Sequence, residues 1–172
     1  MIMLRGQPLL LPVNPVFMGA SLIAALAINM LPLGRVVWLP DLMMLLLAFW
    51  SVHQPQRVGM GLAFIFGLCM DVQHSALLGQ HALVYCLLLF GTNLVRRRLL
   101  WFSLPVQALQ MLPLFFLAHA VALVVRLIGG DDFPGWSMAI APLVEALLWP
   151  LISGLLLAPQ RRAPDADENR PL

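Results

Sequence analysis

The stretch RRRLLWFSLPVQALQMLPLFFLAHAVALVVRLIGG, residues 96–130, decides the fold of this chain. Three arginines open it, and residues 104–125 contain no Asp, Glu, Lys or Arg. The hydrocarbon core of a bilayer is about 30 Å thick, and a helix needs roughly 20 apolar residues to cross it. Residues 104–128 are therefore predicted to form a membrane-spanning helix.

Similar apolar stretches fill the chain on both sides of this one. The sequence is 61% hydrophobic and 10% charged, which leaves no room for a sizeable soluble domain. We predict an all-α fold: a compact bundle of six transmembrane helices over residues 1–158, then a disordered cytoplasmic tail at 159–172 that is charged and has no apolar face. The predicted spans are 15–33, 36–53, 58–72, 76–95, 104–128 and 137–158.

Arginine indicates the orientation of the bundle. The chain has ten Arg and no Lys, and eight of the ten fall on one face, against two on the other. Because cytoplasmic loops retain positive charge, both termini are predicted to be cytoplasmic, which requires an even number of spans. Spans two and three are short, and a re-entrant pair would fit the same charge pattern. The eight are Arg5, Arg57, Arg96, Arg97, Arg98, Arg161, Arg162 and Arg170, and the two are Arg35 and Arg126.

The net charge of +2 therefore reflects the arginines that set the membrane topology, and it does not indicate nucleic-acid binding. The triplet Arg96–Arg98 is predicted to be a stop-transfer anchor, and the alternative is contact with anionic lipid headgroups. Cys69 and Cys86 both fall inside predicted spans and make no disulfide framework.

Ionisable side chains inside the predicted spans are candidate functional residues, because burying them in a membrane is costly. In the predicted topology they gather in the outer half of the bilayer, and neutral Asn29, Gln107 and Gln110 add polar groups inside the spans. Three interpretations stay open: helix caps and pairs inside the bundle, a docking surface or cavity open to the outside, or chemistry. The residues are Asp41, Asp71, His74, His81, His119, Arg126 and Glu145.

Chemistry has the least support from the spacing of these residues. Cys69, Asp71, His74 and His81 have the types of metal ligands, but C-x-D-x₂-H-x₆-H matches no standard zinc spacing. No nucleophile is paired with a His at a recognisable spacing, and no Gly-rich phosphate loop occurs. The sequence predicts no catalytic residue, no metal and no cofactor.

Small residues in the third span predict close helix packing. Gly59, Ala63 and Gly67 recur every fourth residue and define what we call the small-residue ridge, which Asp71 extends. Such ridges let helix backbones approach closely in lipid, either within one bundle or against a partner helix. For Asp71 itself we expect a local cap, a salt bridge to Arg126, or a contact with a partner.

The segment from Pro40 to Ala82 carries a family resemblance. Its features come in order: Pro40 opening the second span, Phe49-Trp50 near its end, then P-x-R, and a Gly-rich span ending Gly67-Leu68-x-x-Asp71. Further along are Leu78-Gly79-x-x-Ala82-Leu83 and, in the last span, Val144-Glu145-Ala146-Leu147-Leu148-Trp149-Pro150. The chain resembles the rod shape-determining protein MreD family over essentially its whole length.

The resemblance implies a non-catalytic scaffold of lateral cell-wall synthesis in the bacterial inner membrane. Its implied partner is MreC, and through MreC the MreB cytoskeleton, RodA and a penicillin-binding transpeptidase. The family is also considered similar in fold to six-helix substrate-binding subunits of energy-coupling-factor transporters, so the alternative is a subunit that binds a small solute. Partner-binding or structural roles are predicted for Pro40, Asp41, Gly59, Ala63, Gly67, Asp71, Gly79, Glu145, Trp149 and Pro150.

Overall fold

The computed structural model describes residues 14–31, 39–74 and 77–160. These residues form six α-helices, two short 3₁₀ turns and no strand. The predicted tail from residue 161 onward lies outside the described residues, as do Arg5, Arg35 and the three C-terminal arginines of the charge count. The helices are α1 Pro15–Asn29, α2 Leu42–His53, α3 Met60–His74, α4 Gln80–Leu99, α5 Leu104–Ile128 and α6 Ile140–Leu157.

Helix α2 is the centre of the bundle. It packs against α1, α4 and α6, and every residue from Met43 to Val52 is buried. Phe49 and Trp50 are completely buried there, and Phe49 also faces Trp149 of α6 with ring centroids 6.3 Å apart. Such a run of apolar residues, buried on all sides, is what a helix enclosed by other helices requires.

Two helices are long and apolar enough to cross a membrane by themselves. They are the 25-residue α5 and the 25-residue segment Trp136–Gln160, which contains α6 and the 3₁₀ turns at its ends. Helix α2 has 12 residues and is about 18 Å long at 1.5 Å per residue, which is shorter than a bilayer core. Its polar ends, Asp41 and His53, are nevertheless half-buried, because α1, α4 and α6 pack around the helix.

The helix bounds follow local capping. Helix α5 has the predicted bounds, with Pro105 in its first turn and Gly129 after its end. Helix α2 begins later than residue 36 because Asp41 caps it, accepting a hydrogen bond from the N–H of Met44 at 3.0 Å. Helix α4 begins at Gln80 and not at 76 because Gly79 takes a left-handed conformation with φ of 99°.

Contacts at both ends of α2 and α4 show that these two helices run in the same direction. At their N-terminal ends the hydroxyl of Tyr85 donates to Asp41. At their C-terminal ends the guanidinium of Arg96 donates to the carbonyl of Val52. The bundle therefore has a carboxylate end and an arginine end, and α2 and α4 connect the two.

Candidate functional site

Five polar side chains from five helices meet at the carboxylate end of the bundle. We call this group the carboxylate cluster. It joins α1, α2, α4, α5 and α6, and its members are Asn29, Asp41, Tyr85, His119 and Glu145.

Asp41 is the most connected member of the carboxylate cluster. Its Oδ1 accepts hydrogen bonds from Asn29 Nδ2 at 2.6 Å and from the N–H of Met44 at 3.0 Å. Its Oδ2 accepts one from the hydroxyl of Tyr85 at 2.5 Å. Its own N–H donates to Oε1 of Glu145 at 3.0 Å. Pro40, directly before Asp41, has no backbone N–H, so no hydrogen-bond donor is left unsatisfied at that position.

Glu145 brings the last helix into the same cluster. It is fully buried, and its Oε1 accepts from the N–H of Asp41 and lies 2.9 Å from Nε2 of His119. Its second oxygen, Oε2, has no hydrogen-bond partner among the described residues. A buried carboxylate is stable only where it is paired or hydrogen-bonded, so the position of His119 matters for the whole bundle.

Asp71 forms a second group, between the end of α3 and the start of α4. Its carboxylate accepts from the N–H of Gly79 at 2.8 Å, from the N–H of His81 at 2.7 Å and from Nδ1 of His81 at 2.8 Å. His74 stacks on His81 with ring centroids 5.3 Å apart. The carboxylate therefore caps α4 from the preceding helix, and Gly79 is needed for the turn that brings the two together.

The predicted salt bridge between Asp71 and Arg126 is wrong. Arg126 pairs with Asp131, with Nε and Oδ2 3.1 Å apart, at the exposed end of α5. Asp71 is 1% exposed and is occupied by Gly79 and His81. Of the expectations for this residue, the local cap fits these contacts.

The small-residue ridge brings α3 against α4 at one position. A Cβ added at Gly67 would overlap the backbone N and Cα of Ala82. Ala63 is buried on the same side of the helix, whereas a Cβ at Gly59 would meet nothing within 4 Å. The close approach therefore depends on Gly67, one turn from Asp71.

Trp149 and Pro150 lie on α6 away from the carboxylate cluster. The indole N–H of Trp149 donates to Oε1 of Gln107 at 3.3 Å, and Phe115 packs against the same ring. Gln107 in turn donates to the carbonyl of Phe102, so one amide joins α5, α6 and the turn before α5. Helix α6 continues through Pro150.

Comparison with known proteins gives the family. The sequence model of the rod shape-determining protein MreD family matches residues 11–158, which is most of the chain. The chain belongs to the MreD family. The rod shape-determining protein MreD of Haemophilus influenzae is 27% identical over 135 residues, covering 76% of this chain and 81% of that protein. No solved structure gives a significant match.

Membership of the MreD family supports a role in rod shape determination. The family is one of membrane proteins, in keeping with the two helices long enough to span a bilayer, and it is described by shape determination and not by an enzymatic reaction. In this MreD-family chain the described residues contain no group of three His, Cys, Asp or Glu placed to hold a metal ion.

Sequence reasoning missed one member of the carboxylate cluster in this MreD-family chain. Tyr85 is the only tyrosine, and it is completely buried in the apolar part of α4. A buried tyrosine hydroxyl usually has a hydrogen-bond partner, so a single Tyr inside an apolar span already indicates a polar group nearby. That partner is Asp41, 44 residues earlier in the chain.

Proposed function

We propose that this chain is a non-catalytic scaffold of the cell-elongation machinery in the bacterial inner membrane. The proposed topology has six spans with both ends in the cytoplasm, and the proposed first partner is an MreC-like membrane protein. RodA, MreB and a penicillin-binding transpeptidase are then contacted through that partner. Family membership over residues 11–158 carries the proposal.

The geometry supports a structural role for the buried polar residues. The hydrogen bonds of the carboxylate cluster join five helices, and those of Asp71 join α3 to α4. Polar groups buried in a bundle and satisfied by one another fix the relative positions of its helices. A bundle fixed in this way presents a constant surface to a partner, which a scaffold requires.

Depletion of the protein in its rod-shaped host tests the proposal. We expect cells to become round as the protein is lost, while the isolated transpeptidase and glycosyltransferase keep their activities. Tagged protein recovered from crosslinked native membranes should carry a single-span partner of the MreC type. Rod shape that persists after complete depletion would contradict the scaffold function.

One observation favours the alternative, a subunit that binds a small solute. Glu145 Oε2 is buried without a partner, and a ligand with an N–H or O–H group would satisfy it. Binding at 100 times the dissociation constant would stabilise the fold by about 2.7 kcal/mol. Purified protein would then melt at a higher temperature with a water-soluble vitamin, whereas the scaffold function predicts no such shift.

A further inference from the structure

The arginine triplet at the end of α4 divides into two parts. Arg96 is half-buried, and its guanidinium donates to the carbonyl of Val52 at the end of α2. Arg97 and Arg98 are exposed. One arginine therefore belongs to the interior of the bundle, and the next two are presented on its surface.

The two exposed arginines share a groove with two aromatic residues. The groove is shallow and open, with a volume of about 370 Å³, and is lined by Arg97, Arg98, Trp101 and Phe102. Trp101 is 88% exposed, although tryptophan is among the most apolar side chains by area. Two guanidinium groups beside exposed aromatic rings match the boundary between headgroups and acyl chains, where Trp is enriched.

The turn that carries the aromatic residues is held by several hydrogen bonds. The N–H of Trp101 donates to Arg98 O at 3.2 Å, and the N–H of Phe102 donates to Leu99 O at 3.2 Å. Gln107, held by Trp149, donates to Phe102 O at 2.9 Å. The fold therefore fixes the backbone from which Trp101 and Phe102 project, which lowers part of the entropy cost of binding.

We propose that this groove binds the phosphate headgroup of an anionic glycerophospholipid, with Arg97 and Arg98 on the phosphate and with Trp101 and Phe102 beside the upper acyl chains. Guanidinium groups bind phosphate oxygens in a planar, bidentate manner, which favours arginine over lysine at such a site. The proposal goes beyond the scaffold function and needs only that the arginine end lies at a membrane surface.

Purified protein in nanodiscs tests the lipid site. We expect protein in mixed phosphatidylglycerol and phosphatidylcholine to retain phosphatidylglycerol after exchange into phosphatidylcholine, measured by native mass spectrometry. Each basic residue near an anionic surface contributes about 1 kcal/mol, so Arg97→Gln with Arg98→Gln should weaken retention by about 30-fold. Trp101→Leu should also shorten retention, without changing net charge.

The control is Arg126→Gln, which removes one positive charge from the other end of the molecule, where Arg126 pairs with Asp131. It should retain phosphatidylglycerol as the wild type does. Thermal melting in pure phosphatidylcholine checks that every variant is folded. In the wild type, 1 M salt should reduce the preference for phosphatidylglycerol, a measurement that requires no variant.

Three results would overturn the lipid site. They are equal retention of the two lipids by the wild type, equal loss in the double variant and in Arg126→Gln, and displacement of phosphatidylglycerol by millimolar inorganic phosphate. The last would assign the groove to a soluble phosphate. Cell shape is not a readout in this experiment, so its failure is distinct from failure of the scaffold function.

Discussion

At the scale of single residues, Asp41 shows how one carboxylate organises several helices. It caps its own helix and also accepts from Asn29 of α1 and Tyr85 of α4. A hydrogen bond to a charged group contributes about 1.5–3 kcal/mol, more than a neutral one, and a partner left unsatisfied in the interior adds a desolvation penalty. Removal of a single hydroxyl from this group should therefore be measurable.

Tyr85→Phe removes the hydroxyl that donates to Asp41 and keeps the ring. We expect the free energy of unfolding to fall by about 1.5–3 kcal/mol, measured by thermal or denaturant unfolding in detergent. The matched control is Ser103→Ala, which removes an exposed hydroxyl that makes no cap hydrogen bond and should be close to neutral. Equal stability of Tyr85→Phe and the wild type would show that the hydroxyl does not stabilise the bundle.

Asp71→Asn separates the structural role of Asp71 from a role in docking. The amide NH₂ cannot accept from the N–H groups of Gly79 and His81, so the cap of α4 loses at least one bond. Because Asp71 is 1% exposed, we expect lower abundance and a lower melting temperature. Exposed Asp132→Asn is the control and should change neither quantity. Normal abundance with weaker recovery of the proposed MreC-like partner would instead assign Asp71 to docking.

At the scale of elements, the contact of α3 with α4 depends on the lack of a side chain at Gly67. The backbone of Ala82 lies where a Cβ of residue 67 would be. The backbone of α4 cannot move aside as a flexible side chain can, so a larger residue at position 67 would force α3 and α4 apart. The same separation would pull Asp71 away from the cap it provides to α4.

Gly67→Leu should destabilise the bundle by about 1–3 kcal/mol or more, measured by thermal unfolding. Gly61→Leu is the matched control in the same helix, because position 61 is exposed and a Cβ there would meet nothing within 4 Å. Both changes raise helix propensity, so a loss of stability confined to Gly67→Leu reports packing. If the two variants melt at the same temperature, the close approach of α3 and α4 does not contribute to stability.

Local chemistry explains which elements were predictable. The bounds of α5 follow from an apolar run with Pro105 in its first turn and Gly129 directly after its last residue. Both signals are local in the sequence. The contact of Asp41 with Glu145 spans 104 residues, and no local pattern encodes such a distant pairing. The sequence therefore supplied the candidates Asp41, Asp71 and Glu145, but the partners of each required the fold.

At the scale of the whole molecule, charge and polar contacts divide the bundle between two ends. The carboxylate cluster and Asp71 join the helices at one end, and Arg96 joins α2 to α4 at the other. Arginine-rich ends face the cytoplasm in most membrane proteins. The proposed topology therefore places the carboxylate cluster toward the outside.

Reporter fusions test that topology. Fusions after Arg57, Arg98 and Leu172 should report the cytoplasm, and a fusion near Asp132 should report the outside, because arginine-rich loops are retained on the cytoplasmic side. An outside signal after Leu172 would make the number of spans odd and would contradict the proposed arrangement. An outside signal after Arg57 would instead indicate that α2 and α3 do not fully cross the membrane and form a re-entrant pair.

The enclosure of α2 has a consequence for the biogenesis of the protein. Helix α2 leaves the ribosome early, but Glu145, which accepts from the N–H of Asp41, follows 104 residues later. At a synthesis rate of roughly 5–20 residues per second, Glu145 is made on the order of 5–20 seconds after Asp41. Until then α2 lacks at least one of the three helices that enclose it, and the last helix completes the enclosure. We therefore expect no stable smaller bundle from a chain that ends before α6, because α2 would lack its contacts with Glu145 and Trp149.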